Sequence, residues 1–171
     1  SAPASGAALP LGATTVECVA TDAAGNRSRV RFQVVVEDTT APSLEAPGLV
    51  EAEQSQPEGA LVTYEAPTAS DLVDPNPSVV CVPPSGSLFP PGETQVTCTA
   101  TDAAGNESQV SFVVRVSDTT PPTLTQPADL AAEQTSAAGA TVVYATPVAT
   151  DAADPAPSVV CVPASGSLFP P

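Results

Sequence analysis

Four cysteines, 19 carboxylates and no histidine set the chemistry open to this chain. A thiol can attack, hold a metal or oxidise to a disulfide. Attack needs an activating base, and with no His and no Lys (the four cations are Arg27, Arg29, Arg31 and Arg115) none is at hand. A tetrahedral metal site needs four ligands, and the thiols are too sparse to supply them. Disulfide formation is left. Cys18 and Cys98 fall at one position of an internal repeat and Cys81 and Cys161 at another, which makes Cys81 and Cys98 partners within one copy. Their bond closes a loop of about 17 residues, stabilising by roughly 3 kcal/mol, and implies an oxidising compartment. Cys18 and Cys161 remain for a bond between subunits or to cysteines outside the segment.

The carboxylates offer two further chemistries. Asp71 with Asp74, and Asp151 with Asp154, are pairs suited in principle to acid–base work. Both sit in Asp-x-x-Asp-Pro runs where turn formation accounts for the spacing, so no catalytic residue is assigned and no enzyme is expected. Asp22, Asp38, Asp102 and Asp118 stand in loops and linkers where oxygens from neighbouring modules can meet a calcium ion. Their spacing follows no fixed ligand pattern, and strand-ending turns are the competing role; no other cofactor is expected. Asn26-Arg-Ser28 and Asn106-Glu-Ser108 match the Asn-x-Ser acceptor pattern for glycans.

These residues recur because the chain repeats every 80 positions. Thr21-Asp-Ala-Ala-Gly-Asn26 returns letter for letter at Thr101–Asn106, and Ser78-Val-Val-Cys81 returns at Ser158–Cys161. Such a period marks an array of similar modules. One complete copy runs over 39–118, with the later part of a copy at 1–38 and the earlier part at 119–171. Only 4% of residues are aromatic while 21 are Pro, so each core is small and built from Val, Leu, Ala and a few Phe and Tyr. The net charge of −15 repels nucleic acid and anionic lipid. No apolar run reaches the roughly 20 residues that span a bilayer, and no charged-then-apolar leader is present, the pattern of a mature exported product.

Alternation supplies the elements. Val96, Cys98 and Ala100 share one face of a strand, and Val110, Phe112, Val114 and Val116 share one face of the next. Thr101–Asn106 joins them as a hairpin loop in which Gly105 supplies positive φ and Asp102 accepts from backbone N–H groups. Val16, Cys18 and Ala20, then Val30, Phe32, Val34 and Val36, repeat the pattern. Further strands are predicted over Gly59–Ala66, with Val62, Tyr64 and Ala66 on one side, and over Ser78–Pro83. The Pro-rich pieces 42–47, 75–77 and 83–91 are predicted to be edges, turns and loops. Six or seven strands per copy predict an all-β fold of tandem immunoglobulin-like sandwiches, strung into a rod by short Pro-containing linkers at 38–42 and 118–122.

The order Asp-Thr-Thr-Pro-Pro, Tyr144-Ala-Thr-Pro-Val-Ala-Thr-Asp151, Val-Cys-Val-Pro, Ser-Gly-Ser-Leu-Phe-Pro and Val-Thr-Cys-Thr-Ala-Thr-Asp-Ala-Ala-Gly-Asn resembles the hyalin repeat, or HYR domain. The resemblance implies extracellular immunoglobulin-like modules in tandem, tied to adhesion and matrix rather than catalysis. The family often carries a second cysteine pair with one member near Asp71-Leu-Val-Asp74, and that pair is missing from this sequence.

A secreted or cell-surface structural segment of a filament or stalk is the expected function. The alternatives are an adhesin module recognising protein or glycan through loops 67–77 and 101–107, and an accessory domain of a secreted enzyme. The expected partners are other copies of the chain, head to tail, and surface proteins or glycans, with neither nucleic acid nor membrane insertion. Two arrangements fit the partial copies: strand exchange between subunits, with Cys161 bonded to Cys18 of a neighbour, or a window cut from a longer array.

Overall fold

The computed structural model describes residues 4–170, and every regular element among them is a β-strand. The first copy contributes β1 (Gly12–Thr21) and β2 (Arg27–Val36), an antiparallel hairpin whose register sets Val16 opposite Phe32 and Cys18 opposite Val30. Its turn follows from Asp22. One oxygen of that carboxylate accepts from the Ala24 and Asn26 backbone N–H groups, the other from the Asn26 side chain, and Gly25 takes the positive φ of 89° that a bulkier residue resists.

The central copy has eight strands: β3 (Ser43–Glu45), β4 (Val50–Glu53), β5 (Ala60–Val62), β6 (Thr68–Ser70), β7 (Ser78–Val82), β8 (Ser87–Phe89), β9 (Gly92–Thr101) and β10 (Glu107–Ser117). β4, β10, β9 and β7 form one sheet in that order, with β4 parallel to β10, while β3 pairs with β6 and β5 with β8. Alternation decides what is buried: Val96, Cys98 and Ala100 on β9 and Phe112, Val114 and Val116 on β10 point inward, as do Ala60, Val62 and Phe89. Tyr64 packs edge-on against Phe112 at 5.0 Å and Phe89 at 6.4 Å, and its hydroxyl donates to the Pro83 carbonyl. Cys81 and Cys98 are bonded. Gly59 is required where it stands, since a Cβ there would lie 1.8 Å from the Phe89 carbonyl oxygen.

The third copy keeps the short pairs of the second: β11 (Thr123–Leu124) with β13 (Ala149–Thr150), and β12 (Ala140–Thr141) with β14 (Leu168–Phe169). The chain forms two compact units. One holds the chain up to Leu44 with Thr68–Val79 and Thr99–Gln109; the other holds Glu45–Pro67, Val80–Cys98 and the chain from Val110.

Two expectations need correction, the length of one strand and the number of strands in the complete copy. The strand predicted over Gly59–Ala66 stops at Val62, because the Tyr64 backbone N–H and carbonyl are both taken by the Ser85 hydroxyl, which leaves no ladder to extend; Ala66 is exposed. The Pro-rich pieces 42–47 and 83–91 hold the short edge strands β3 and β8, each paired on one side only, in keeping with the edges, turns and loops expected there. The complete copy therefore has eight strands rather than six or seven.

Candidate functional site at the linkers

Each Asp-Thr-Thr linker is held by side chains. In the unit containing residues 38–42, the Asn106 amide donates to the Asp38 carbonyl at 3.2 Å and to Asp102 Oδ2 at 2.8 Å, so both of its N–H groups are used. The Ser108 hydroxyl donates to the Pro42 carbonyl. The loop that presents these two residues is fixed by Asp102, whose Oδ1 accepts from the Ala104 and Asn106 backbone at 2.9 and 2.8 Å. Asp74 Oδ2 accepts from the Ala103 N–H at 2.9 Å and ties the same loop to the Asp71–Asn76 turn. That turn is itself built on Asp71 Oδ1, which accepts from Val73 and Asp74.

Three carboxylates converge there: ligand oxygens of Asp38, Asp71 and Asp102 lie within 4.8 Å of one another. Burial pushes the Asp102 carboxyl up, but hydrogen bonds from Asn106, Gly105 and Ala104 outweigh it and hold the group below its usual range. Asp71 is also lowered, chiefly by the backbone N–H groups of Asp74 and Val73, against the opposing push of burial and, to a lesser extent, of the Asp102 charge. Ionised oxygens at this separation are the donor type that suits a hard cation such as calcium. Hydrogen bonds from the chain already engage one or both oxygens of each carboxylate.

In the other unit, Glu53 grips the second linker. Its carboxylate accepts from the Thr119 N–H and hydroxyl at 2.8 and 2.7 Å, and from the Thr120 N–H and hydroxyl at 3.0 and 2.8 Å. These donors, with the Thr119 hydroxyl the largest influence, lower its pKa from 4.5 to about 2.

Of the four aspartates named for calcium, Asp38 and Asp102 are brought together, and Asp71, read as a turn residue, joins them. Asp22 and Asp118 are outside this group. Asp22 organises the first hairpin loop, and Asp118 accepts from the Thr120 N–H at 3.2 Å. Asp151 and Asp154 form the same turn as Asp71 and Asp74. Of the two glycan acceptor sites, Asn26 is exposed and Asn106 is half-buried and bonded to the linker. Cys18 is an exposed thiol and Cys161 a half-buried one. Sequence reasoning missed Ser108 and Glu53. Their signal is the repeat itself, since a fixed Asp-Thr-Thr linker and a fixed Asn-x-Ser tip recur at constant separation.

Residues 1–36 and 37–116 match the HYR domain model. The chain belongs to the HYR domain family. Hyalin of Strongylocentrotus purpuratus is 37% identical over 169 residues, 95% of this chain, and hyalin of Lytechinus variegatus 34% identical over 171 residues. A stretch of 93 residues is 37% identical to the sushi, von Willebrand factor type A, EGF and pentraxin domain-containing protein 1 of Rattus norvegicus. The chain spans 14% and 32% of the two hyalins and 3% of the rat protein. Among solved structures, a protocadherin gammaB7 EC3-6 cis-dimer aligns over 82% of the chain and 44% of its own at 19% identity, with a TM-score of 0.34, too low to bear on the fold assignment. Membership places the HYR chain with extracellular, adhesion-type modules. No helix among the described residues is long and apolar enough to cross a membrane.

Proposed function

We propose that this chain is a non-enzymatic segment of a secreted or cell-surface filament or stalk, built from HYR modules joined end to end, whose function is mechanical continuity. The observation that carries the reading is the holding of both linkers: Asn106 and Ser108 bond the carbonyls of Asp38 and Pro42, and Glu53 takes four donors from Thr119 and Thr120. A linker meant to swing would leave these groups to water. Bonded main chain on both sides transmits load from strand to strand instead, while the disulfide prevents β7 and β9 from parting.

Backbone ¹⁵N relaxation on the full chain tests this. Residues 38–42 and the Thr119–Thr120 pair should show order parameters near those of rigid backbone, about 0.85, and values below about 0.6 would overturn the reading.

A further inference from the structure

The two long hairpins differ on the face they turn to solvent. Inward, β2 carries Val30, Phe32, Val34 and Val36 where β10 carries Val110, Phe112, Val114 and Val116, the same residue types in the same order. Outward, β2 carries Arg27, Arg29 and Arg31 where β10 carries Glu107, Gln109 and Ser111. All six of these outward residues are exposed, so the row faces solvent in the complete copy as well. Three of the chain's four cations thus stand on one strand face of a protein with a net charge of −15. Placed on alternate residues, they are about 6.8 Å apart, as the strand rise of about 3.4 Å dictates. Glu17, opposite Arg31 in the register, is the only acid on β1 or β2. Its carboxylate lies 2.5 Å from Arg31 Nη2 and 3.7 Å from Arg29 Nη1, while the two arginine side chains stay 67% and 56% exposed. Arg27 has no ion-pair partner among the described residues. Exposed Val19 and Thr21 flank the row, opposite Arg29 and Arg27.

We infer that Arg27, Arg29 and Arg31 form a binding face for a linear anionic polysaccharide. A guanidinium presents five N–H donors in a planar fork that fits two oxygens of a sulfate or carboxylate, and it keeps its charge at every ordinary pH. A row of three at fixed spacing on a strand meets anionic groups that recur along an extended polymer. Glu17 is a positioning residue: it accepts from Arg31, lies against Arg29 and leaves the rest of each fork free. The acidity of the whole chain does not cancel the row, because at an ionic strength of about 0.15 M charges interact over about 8 Å, and Glu17 is the one carboxylate among the residues of the two strands. Nucleic acid fits this face less well, since alternation turns Phe32 to the other side and leaves no ring to stack a base. A second copy of the chain is also a poorer partner. Its outward carboxylates Glu51 and Glu93 are engaged by Arg115, and Glu53 by Thr119 and Thr120. The mechanical reading neither requires this strand-face site nor implies it.

Calorimetric titration of the full 171-residue chain with heparin, which is sulfated, and with polygalacturonate, which carries carboxylates alone, tests the site and tells the two anions apart. At least one polymer should bind at about 0.15 M salt, with an affinity that falls as salt rises. Exchanging Arg27→Glu, Arg29→Gln and Arg31→Ser together gives β2 the outward residues that β10 already carries on the matching hairpin, so the fold accommodates them. This variant should bind at least about tenfold more weakly. Arg29→Gln alone should also weaken binding, whereas Arg115→Gln, which removes the same charge from a guanidinium held between Glu51 and Glu93, should leave it unchanged. Absence of binding to both polymers, equal losses in Arg29→Gln and Arg115→Gln, or undiminished binding by the triple exchange overturns the proposal. So does tighter binding to single-stranded DNA, or self-association in sedimentation velocity that the triple exchange abolishes. None of these results alters the order parameters of the linkers, which test the mechanical reading separately.

Discussion

The β1–β2 and β9–β10 hairpins share the loop Thr-Asp-Ala-Ala-Gly-Asn, its turn and its hydrogen-bond pattern, yet the inward residues of β9–β10 are buried and those of β1–β2 are not. Asp22 and Asp102 accept from matching donors at distances of 2.8–3.0 and 2.8–2.9 Å. Cys98 and Val96 are fully buried, whereas Cys18 is exposed and Val16 half-exposed. A hairpin and its register are therefore local properties, written in the alternation and in the Asp-Ala-Ala-Gly-Asn turn. Burial is not. It comes from β5, β8 and Tyr64, which lie outside the hairpin in the central copy.

Phenylalanine exposes this difference most sharply. Phe112→Ala should remove about 3–5 kcal/mol from the main unfolding transition, the cost of a buried aromatic, while Phe32→Ala in dilute, monomeric chain should change it by less than about 0.5 kcal/mol. Chemical denaturation of both variants measures this, and equal losses would mean that the first hairpin is packed as tightly as the second.

The cysteines come next. Replacing Cys81 and Cys98 together by Ser frees a loop with a sequence separation of 17 and should cost about 3 kcal/mol. Cys18→Ser should leave the same transition where it was. A destabilisation by Cys18→Ser at dilution would break the proposed contrast.

What the sequence made legible follows from the same division. Strands of ten or eleven residues declare themselves by alternation, as β9 and β10 do, and the repeat makes the Cys81–Cys98 pairing readable without any structure. The three- and four-residue strands β3, β4, β6 and β8 are too short for a period to emerge among prolines. The end of β5 depends on Ser85, 21 residues from Tyr64, and local pattern carries no trace of it. The site divides likewise. Asp102 was readable as an organiser of its loop, whereas the meeting of Asp38, Asp71 and Asp102, and the use of Asn106 and Ser108 to hold a linker, arise only when distant segments fold together.

A smaller effect separates the two tips. Ser108→Ala removes the donor to the Pro42 carbonyl and should cost about 1 kcal/mol, whereas Ser28→Ala should cost nearly nothing, since no hydrogen bond from the Ser28 side chain is found among the described residues. Hydrogen exchange at residues 40–44 checks where the loss is felt. Faster exchange should be confined to the Ser108 variant, and unchanged exchange there would remove Ser108 from the linker clasp.

The smallest effect is expected at Glu53, whose carboxylate is solvent-facing, but it has the clearest sign. Its pKa is lowered from 4.5 to about 2 because four donors from Thr119 and Thr120 favour the ionised form. A carboxyl lowered on folding contributes its stabilisation in full above its ordinary pKa and loses it as pH falls through the folded value. The stability that this grip contributes should thus be complete above 4.5 and decline as pH falls from 4.5 towards about 2. The Thr119 and Thr120 amide shifts should titrate with a midpoint near 2, and Glu53→Gln should abolish that transition. A midpoint at the ordinary carboxylate value would mean that these threonines do not hold the charge, and that the second linker is looser than the one bonded by Asn106 and Ser108.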